Sequence, residues 1–363
     1  MKEVNGVKET FEHFPLYEFS GSYKEIGRQY GEAMREEFRY MVDWWYGNLS
    51  DLIPGKSIED LKAATQVFEQ PSKDYAPDQY AMMEGMSEGS GLSMKDLFYL
   101  TGCFELDAAF PAYLACTSYA ASGKATKDGK TILGQNYDWY HGSIPVVLRI
   151  KPDHGPAFLS VTLAGHLPQV GINEYGLGQF VNILLTATAG PGVPYNVLVA
   201  KVLTQKNVPD MIRTITQAPR AIAFNHMLAG KDGEIIDVET APYSCGLVLP
   251  HDDILAHANH YECHYLKKDD FADQTSFPDT FLRAYRLQQL MEEKRGELCP
   301  EVMKQLLTDH RGYPDCICRH LDITGPIGEQ FETSMSMIAV PEDGYILATN
   351  NPCTNGDYKK YTL

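Results

Sequence analysis

From Tyr23 to Trp45, apolar side chains recur every three or four positions, at Ile26, Tyr30, Met34, Phe38, Val42 and Trp45. That spacing predicts one amphipathic helix. Ser57-Ile-Glu-Asp60 and Ser93-Met-Lys-Asp96 predict two further helix starts, each with a hydroxyl cap and an acid in the first turn. Pro, Asp and Ser between Gln70 and Asp78 predict a loop. The first 115 residues therefore read as mainly helical.

After Cys116 the pattern changes. Asp-Gly pairs stand between apolar or β-branched runs at Lys127–Lys130, Lys231–Glu234 and Glu342–Tyr345. Each is a hairpin signal, because Asp and Gly tolerate the positive φ that tight turns demand. Runs around Val161, Gly176–Val181 and Ile235–Val238 predict strands. Helical spacing returns at Tyr195–Leu203, Thr280–Glu293 and Pro300–Leu307, the last with Pro in its first turn. The order is helices, strands, helices, strands, which suits an α+β fold of antiparallel sheet under helices.

Charge narrows the range of partners. The 363 residues carry a net charge of −17. Residues 1–115 hold 10 Lys and Arg against 20 Asp and Glu, and residues 116–363 hold 21 against 28. Neither part is basic, which argues against nucleic acid and against docking on anionic membranes. No apolar run reaches 18 residues, so no membrane span is expected. The polar stretch Met1–Phe14 lacks the apolar core of a secretory signal, so the expected compartment is the cytoplasm.

Eight cysteines, at 103, 116, 245, 263, 299, 316, 318 and 353, are scattered along the chain and read as mostly reduced thiols. Cys316 and Cys318 form a C-x-C pair with His310 and His320 near. A zinc site usually has wider Cys spacing, so the expectation is no metal, with a zinc protein as a third reading of the chain. His257, His260 and His264 read as a polar loop rather than a metal cluster, and His166 and His226 as similar cases.

The segment with the most chemical content is Leu114-Ala-Cys-Thr-Ser-Tyr119, followed by the first Asp-Gly turn and Gly134-Gln-Asn-Tyr-Asp-Trp139. A hairpin here returns Asp138 beside Cys116. A thiol needs a base to become a thiolate. If the chain is cut before Cys116, its own α-amine, with a pKa of about 7.7–8.0, supplies that base without any histidine. A carboxylate such as Asp138 would hold and tune the amine. The alternative is that Cys116 is a small core residue, with Asn136 and Asp138 merely capping a turn.

These residues resemble the N-terminal-nucleophile (Ntn) family of isopenicillin-N acyltransferase. Its wider relatives include the choloylglycine hydrolases, penicillin V acylases and the acid-amidase and ceramidase group. The resemblance extends through Gly21–Gly31, Gly171-Ile-Asn-Glu-Tyr-Gly-Leu177, Asn182, Ala256-His-Ala-Asn-His-Tyr261, Thr333-Ser-Met-Ser-Met-Ile338 and Asn351–Cys353. It implies a four-layer αββα sandwich with a helical prosegment, residues 1–115, packed on a catalytic part, residues 116–363. It implies cleavage between Ala115 and Cys116, with the cut segment retained as the partner in an α/β heterodimer. Cys116 would be the nucleophile, with Asp138 beside its amine. Asn259 would donate to the oxyanion, Asn182 would be a second donor, and Ser336 or Ser334 would sit near the thiol. Two departures stand out. Gln135 occupies a position where the bile-salt and penicillin V enzymes carry Arg, and Ala115 precedes the nucleophile where the fungal acyltransferase has Gly.

The expected reaction is hydrolysis of a small-molecule amide, an N-acyl amino acid or short peptide, through a Cys116 thioester and without a cofactor. Ser118, Tyr137 and Trp139 are the expected substrate contacts, while Tyr119 and Tyr140 suit a pocket or the core equally well. An acyltransferase is the nearest alternative, disfavoured by the chain's acidity if the donor is as anionic as coenzyme A. An uncut, non-catalytic binding relative is the rival from another class. Self-association into a homo-oligomer is compatible with all of these.

Overall fold

The computed structural model describes residues 3–4, 7–8, 13–106, 115–184, 186, 189–270, 278–324, 327, 330–350, 352–353 and 356–363. Asn351 and residues 107–114, which include Leu114, lie outside the described residues, as does the side chain of Cys103.

The short strands β1 (Glu3–Val4) and β2 (Val7–Lys8) form a hairpin of their own, and β3 (Leu16–Gly21) leads into the helices. These are α1 (Tyr23–Ala33), α2 (Arg35–Gly47), α3 (Leu49–Leu52), α4 (Ile58–Ala64), α5 (Gln66–Tyr75), α6 (Pro77–Ser90) and α7 (Met94–Leu106). The amphipathic stripe from Tyr23 to Trp45 is thus two helices, divided at Met34, whose φ and ψ leave the helical region. Both keep the predicted face buried through Ile26, Tyr30, Phe38, Val42 and Trp45, and α2 buries Met41 beside it. The loop expected over Gln70–Asp78 is instead the end of α5 and the start of α6. Pro77 sits at the first turn of α6, where a missing N–H costs nothing, and buried Phe68 and Ser72 anchor α5 in spite of Pro71. The Ser57 start carries a capping box with Asp60, and Ser93 exchanges the same bonds with Asp96.

The remaining elements are β4 (Cys116–Ala121), β5 (Ile132–Tyr140), β6 (Pro145–Pro152), β7 (Phe158–Leu163), β8 (Val170–Asn173), β9 (Leu177–Ile183), α8 (Tyr195–Val202), α9 (Val208–Thr216), β10 (Phe224–Gly230), β11 (Ile235–Ala241), β12 (Ser244–Val248), β13 (Ile254–His257), α10 (Pro278–Glu293), α11 (Pro300–Leu306), β14 (Phe331–Val340), β15 (Tyr345–Thr349) and β16 (Lys359–Thr362). An eight-stranded sheet runs β12-β11-β10-β9-β8-β7-β6-β3, and a six-stranded sheet runs β13-β4-β5-β14-β15-β16. Neighbours are antiparallel except β3 and β6, which are parallel.

The sheets face each other through β4, β5 and β9, while α8, α9 and the N-terminal helices cover the larger sheet and α10 and α11 the smaller. This is an α+β fold of four layers, αββα. Every residue of β5 and β14 is buried, as expected of strands covered on both faces. Among the described residues no helix is long and apolar enough to cross a membrane.

Helices α1 and α6 meet backbone to backbone. A Cβ on Gly27 would land on the Met82 carbonyl, and one on Gly85 on the Lys24 carbonyl. Since neither backbone can yield locally, Gly85→Ala is expected to force the helices apart and lower stability by about 1–3 kcal/mol, read from denaturant unfolding.

One polar cluster is deeply buried. His257 Nε2 lies 2.8 Å from Glu239 Oε1, both side chains at zero exposure, and Glu239 also accepts the N–H groups of Glu262 and Cys263. Burial alone would depress the imidazole, but Asp237 and Glu239 together raise it to about 9. Because the folded value lies above the ordinary 6.5, the contribution to stability is complete below pH 6.5 and lost as pH rises through about 9. His257→Ala, which strands a buried carboxylate, is expected to cost about 3–5 kcal/mol at pH 6. It should also flatten the alkaline fall in melting temperature between pH 7 and 10.

Cysteine pairing departs from the expectation of mostly reduced thiols in one place. Cys318 and Cys353 form a disulfide with their Cα atoms 5.7 Å apart. They are 35 residues apart in sequence, but one precedes β14 and the other follows its hairpin partner β15, so the hairpin returns one to the other. Cys116, Cys245, Cys263, Cys299 and Cys316 are free.

Candidate active site

Cys116 is the first residue of β4 and pairs with Tyr137 of β5, so Asp138 stands opposite Ala115. The peptide between Ala115 and Cys116 is gripped on both sides. The Ala115 carbonyl accepts the Asp138 backbone N–H at 3.0 Å. The Cys116 N–H donates to Asn259 Oδ1, also at 3.0 Å.

Asn259 is itself fixed. Its Nδ2 donates to the Ile183 carbonyl at 3.0 Å, and its Oδ1 takes a second bond from Arg283 Nη2 at 2.9 Å. The same guanidinium donates through Nη1 to the Cys116 carbonyl at 2.7 Å and to Thr117 Oγ1 at 2.8 Å. Arg283 is only 2% exposed, and Asp279 pairs with its Nε at 3.1 Å.

Asp138 accepts the Thr333 hydroxyl at 2.6 Å, and its other oxygen faces Arg319 Nε at 3.5 Å. Arg319 also holds Asp279 at 2.9 Å and Asp315 at 2.6 Å. Burial raises Asp138 to about 6, against the pull of Arg319, Arg283 and the Thr333 hydroxyl. The Cys116 thiol is pushed well up by burial and then by Asp138, with the Asp138 backbone N–H, Arg283 and the Gln135 side chain opposing. In the uncut chain the thiol is therefore protonated at neutral pH and needs a base before it can attack.

Ser118 lies on the same strand face as Cys116, but its hydroxyl is committed to Asn182 Oδ1 at 2.6 Å. That oxygen also accepts from Asn225 Nδ2 at 3.1 Å, and Asn225 bonds Asp237 at 2.8 Å. Asn182 Nδ2 is left as a buried donor with no partner among the described residues. Ser336 is not brought to the thiol. Its hydroxyl bonds Asn136 at 2.6 Å and Tyr358 at 2.7 Å. Ser334 bonds the carbonyls of Trp139 and Glu332.

A small pocket opens beside Cys116. Apart from Cys116 and Asp138 its walls are Tyr137, Trp139, Val181, Ile183, Tyr195 and Phe224. Tyr195 and Phe224 stack with ring centroids 4.2 Å apart. Glu105, at the end of α7, accepts the Tyr195 backbone N–H at 2.6 Å, so the N-terminal helices help to set one wall. Burial raises Glu105 to about 8, which leaves it mostly uncharged at neutral pH.

Histidines do not enter the site. His257 is spent on Glu239, and His260 bonds Thr280 and Glu262. Burial lowers His166 to about 4 and His226 to about 3, which keeps both neutral. Among the described residues, the group of side chains able to share a metal is His310, His320 and Cys353, which includes no site residue named above.

Arg283 and Arg319 were not legible as site residues, while Gln135 and Thr333 stand in the quoted segments without an assigned role. Arg283 left a trace, since it falls on the buried stripe of α10 with Thr280, Ala284, Leu287 and Met291, where a cation needs a buried partner. Arg319 left none, because only the fold brings it to Asp138.

Known proteins are similar to this chain in sequence and in fold. An uncharacterized protein of Archaeoglobus fulgidus is 27% identical over 180 residues, which cover 41% of this chain; the chain spans only 29% of that curated relative's length. A mutant of the conjugated bile acid hydrolase of Clostridium perfringens superposes with a TM-score of 0.48 at 13% identity, covering 68% of this chain and 97% of that one. Penicillin V acylase of Agrobacterium tumefaciens gives 0.45 at 12%, covering 65% and 83%. Residues 125–325 match the acyl-coenzyme A:6-aminopenicillanic acid acyl-transferase family, a region that holds Asp138, Asn182, Asn259, Arg283 and Arg319 and begins just after Cys116. With more than half of its length inside that match, the chain belongs to the acyl-coenzyme A:6-aminopenicillanic acid acyl-transferase family.

Proposed function

We propose that this protein cuts itself ahead of Cys116 and then uses the freed N-terminal cysteine to hydrolyse small-molecule amides. The observation that carries this reading is the two-sided grip on the Ala115–Cys116 peptide beside a thiol and a carboxylate. Cys116 Sγ attacks the Ala115 carbonyl carbon, and the C–N bond breaks as the nitrogen takes a proton. That step frees the Cys116 amine, and water then hydrolyses the resulting thioester, which releases the Ala115 carboxylate and restores the Cys116 thiol.

The new amine, with an ordinary pKa of about 7.7–8.0, takes the thiol proton at working pH. Asn259 Oδ1, held by Arg283, is already at hydrogen-bond distance from that nitrogen. The thiolate attacks a substrate carbonyl lying where the Ala115 carbonyl lay, so the Asp138 N–H becomes an oxyanion donor. Asn182 Nδ2, which has no partner among the described residues, is the second candidate. Amine departure with the relayed proton leaves an acyl-thioester that water resolves.

The apolar walls around Tyr137, Trp139 and Phe224 suit an uncharged acyl chain. Together with the net charge of −17, they favour an N-acyl amino acid or short peptide over an anionic thioester donor. The test supplies a panel of N-acyl amino acids with and without a second free amine. Release of free acid whatever amine is present supports the hydrolase. Quantitative transfer to the added amine would make the protein an acyltransferase.

A further inference from the structure

The stretch from Asp309 to His320 reaches the site only through Arg319, yet it gathers an unusual set of donors. One ligand atom each of His310, His320 and Cys353 lie within 4.8 Å of one another. Cys318 adds its sulfur to the same point through its bond to Cys353. The two imidazole rings are 4.8 Å apart at their centroids, and the Tyr313 ring backs His320 at 5.1 Å. His320 Nε2 is buried with no hydrogen-bond partner among the described residues, a cost the fold accepts without return from any described protein group. Cys316, by contrast, has its thiol turned away to the Cys318 carbonyl at 2.8 Å.

Two sulfurs and two imidazoles are the donor set of a closed structural zinc site. Tetrahedral zinc with its usual bond lengths spaces such donors about 3.3–3.8 Å apart, so small side-chain rotations suffice to close the set. We propose that, with the Cys318–Cys353 bond reduced, His310, Cys318, His320 and Cys353 bind one zinc-like divalent cation.

The chemistry balances with a small-molecule thiol as reductant. Two thiols supply two electrons and two protons and leave as their own disulfide, while Cys318 and Cys353 become thiols. Binding of the cation releases one proton from each, giving a dithiolate site of no net charge. Oxidation reverses the sequence and expels the ion. The disulfide fastens the backbone on one side of Arg319, at Cys318, and the metal would fasten both sides, at Cys318 and His320; the Arg319 guanidinium lies against Asp138 and Asp279. The site would thus hold a positioning residue of the catalytic centre by one of two interchangeable clasps.

The experiment uses the full-length protein. It is reduced with excess thiol in the presence of zinc chloride, desalted anaerobically and submitted to elemental analysis. A matched sample is oxidised, with the Cys318–Cys353 linkage verified by peptide mapping. The expected result is one equivalent of zinc per chain in the reduced protein and none in the oxidised one. Cobalt(II) in place of zinc should give the visible absorption of tetrahedral thiolate coordination. Cys353→Ser and His320→Asn should weaken binding at least about 100-fold, while Cys316→Ser keeps it. The proposal fails if the reduced wild type holds no zinc, if those two variants bind as wild type does, or if Cys316→Ser alone abolishes binding. The comparison of reduced with oxidised wild type needs no variant to fold.

Discussion

Under denaturing conditions the wild-type protein is expected to separate into two polypeptides, and Cys116→Ala to remain one chain of 40.6 kDa. Dividing the mass in proportion to 115 and 248 residues gives fragments of roughly 13 and 28 kDa, the larger beginning with Cys116. Alanine leaves the grip on the peptide intact, because the Asp138 N–H and Asn259 Oδ1 contacts involve backbone atoms of residues 115 and 116. The variant therefore isolates the sulfur. Turnover of any amide substrate should fall by a factor on the order of 10⁶, as removal of a sole nucleophile does elsewhere. Intact mass, followed by N-terminal sequencing of the larger fragment, decides the matter. A wild type that stays whole after prolonged incubation, with full activity, would move the nucleophile elsewhere. A whole and inactive wild type would favour the uncut binding relative.

The second expectation sets activity against stability at Asp138. Its carboxyl is buried, and its folded value of about 6 lies above the ordinary 3.8. The stability linked to this group is thus complete below pH 3.8 and declines as pH rises through about 6. Ionising it at neutral pH costs the fold about 3 kcal/mol at most, since a tenfold change in proton affinity is worth about 1.4 kcal/mol. Asp138→Asn keeps the acceptor for the Thr333 hydroxyl and abolishes the ionisation. It should melt at or above the wild-type temperature at pH 7.5, yet be slowed about 10²- to 10⁴-fold in self-cleavage and turnover through loss of the charge beside the amine. Wild-type activity should correspondingly fall as pH drops through 6 and Asp138 takes up a proton. An Asn variant that is less stable but fully active would assign Asp138 to architecture alone.

What the sequence disclosed depended on how local each signal was. The hairpin that carries Cys116 and Asp138 is short, and its register follows from one loop, so the pair is legible from the residues alone. Even so, the connection spans residues 122–131, well beyond a two-residue Asp-Gly turn. The buried stripe of α1 and α2 was legible as periodicity, while the break at Met34 was not, because periodicity continues across it. Arg319 reaches Asp138 only because Thr333 of β14 exchanges hydrogen bonds with it, a relation between segments that no spacing records. The same holds for Cys318 and Cys353, whose meeting depends on the β14–β15 hairpin. The resemblance supplied Asn259, and the structure then put its oxygen, rather than its amide hydrogens, toward Cys116.

Strand β3 belongs to the first 115 residues yet completes the eight-stranded sheet, in parallel register with β6 from Leu16 against Val147 to Gly21 against Pro152. A cut ahead of Cys116 would leave that strand in place but alter the molecularity of refolding. The uncut chain recovers its edge strand by an intramolecular search, at a rate independent of dilution. A cleaved molecule, once denatured, must find its missing strand in solution, so its recovery would slow with dilution and its melting midpoint would shift with protein concentration. Self-cleavage would then act as a ratchet, in which the precursor folds as one body and the mature form persists because it rarely unfolds, rather than because it refolds well.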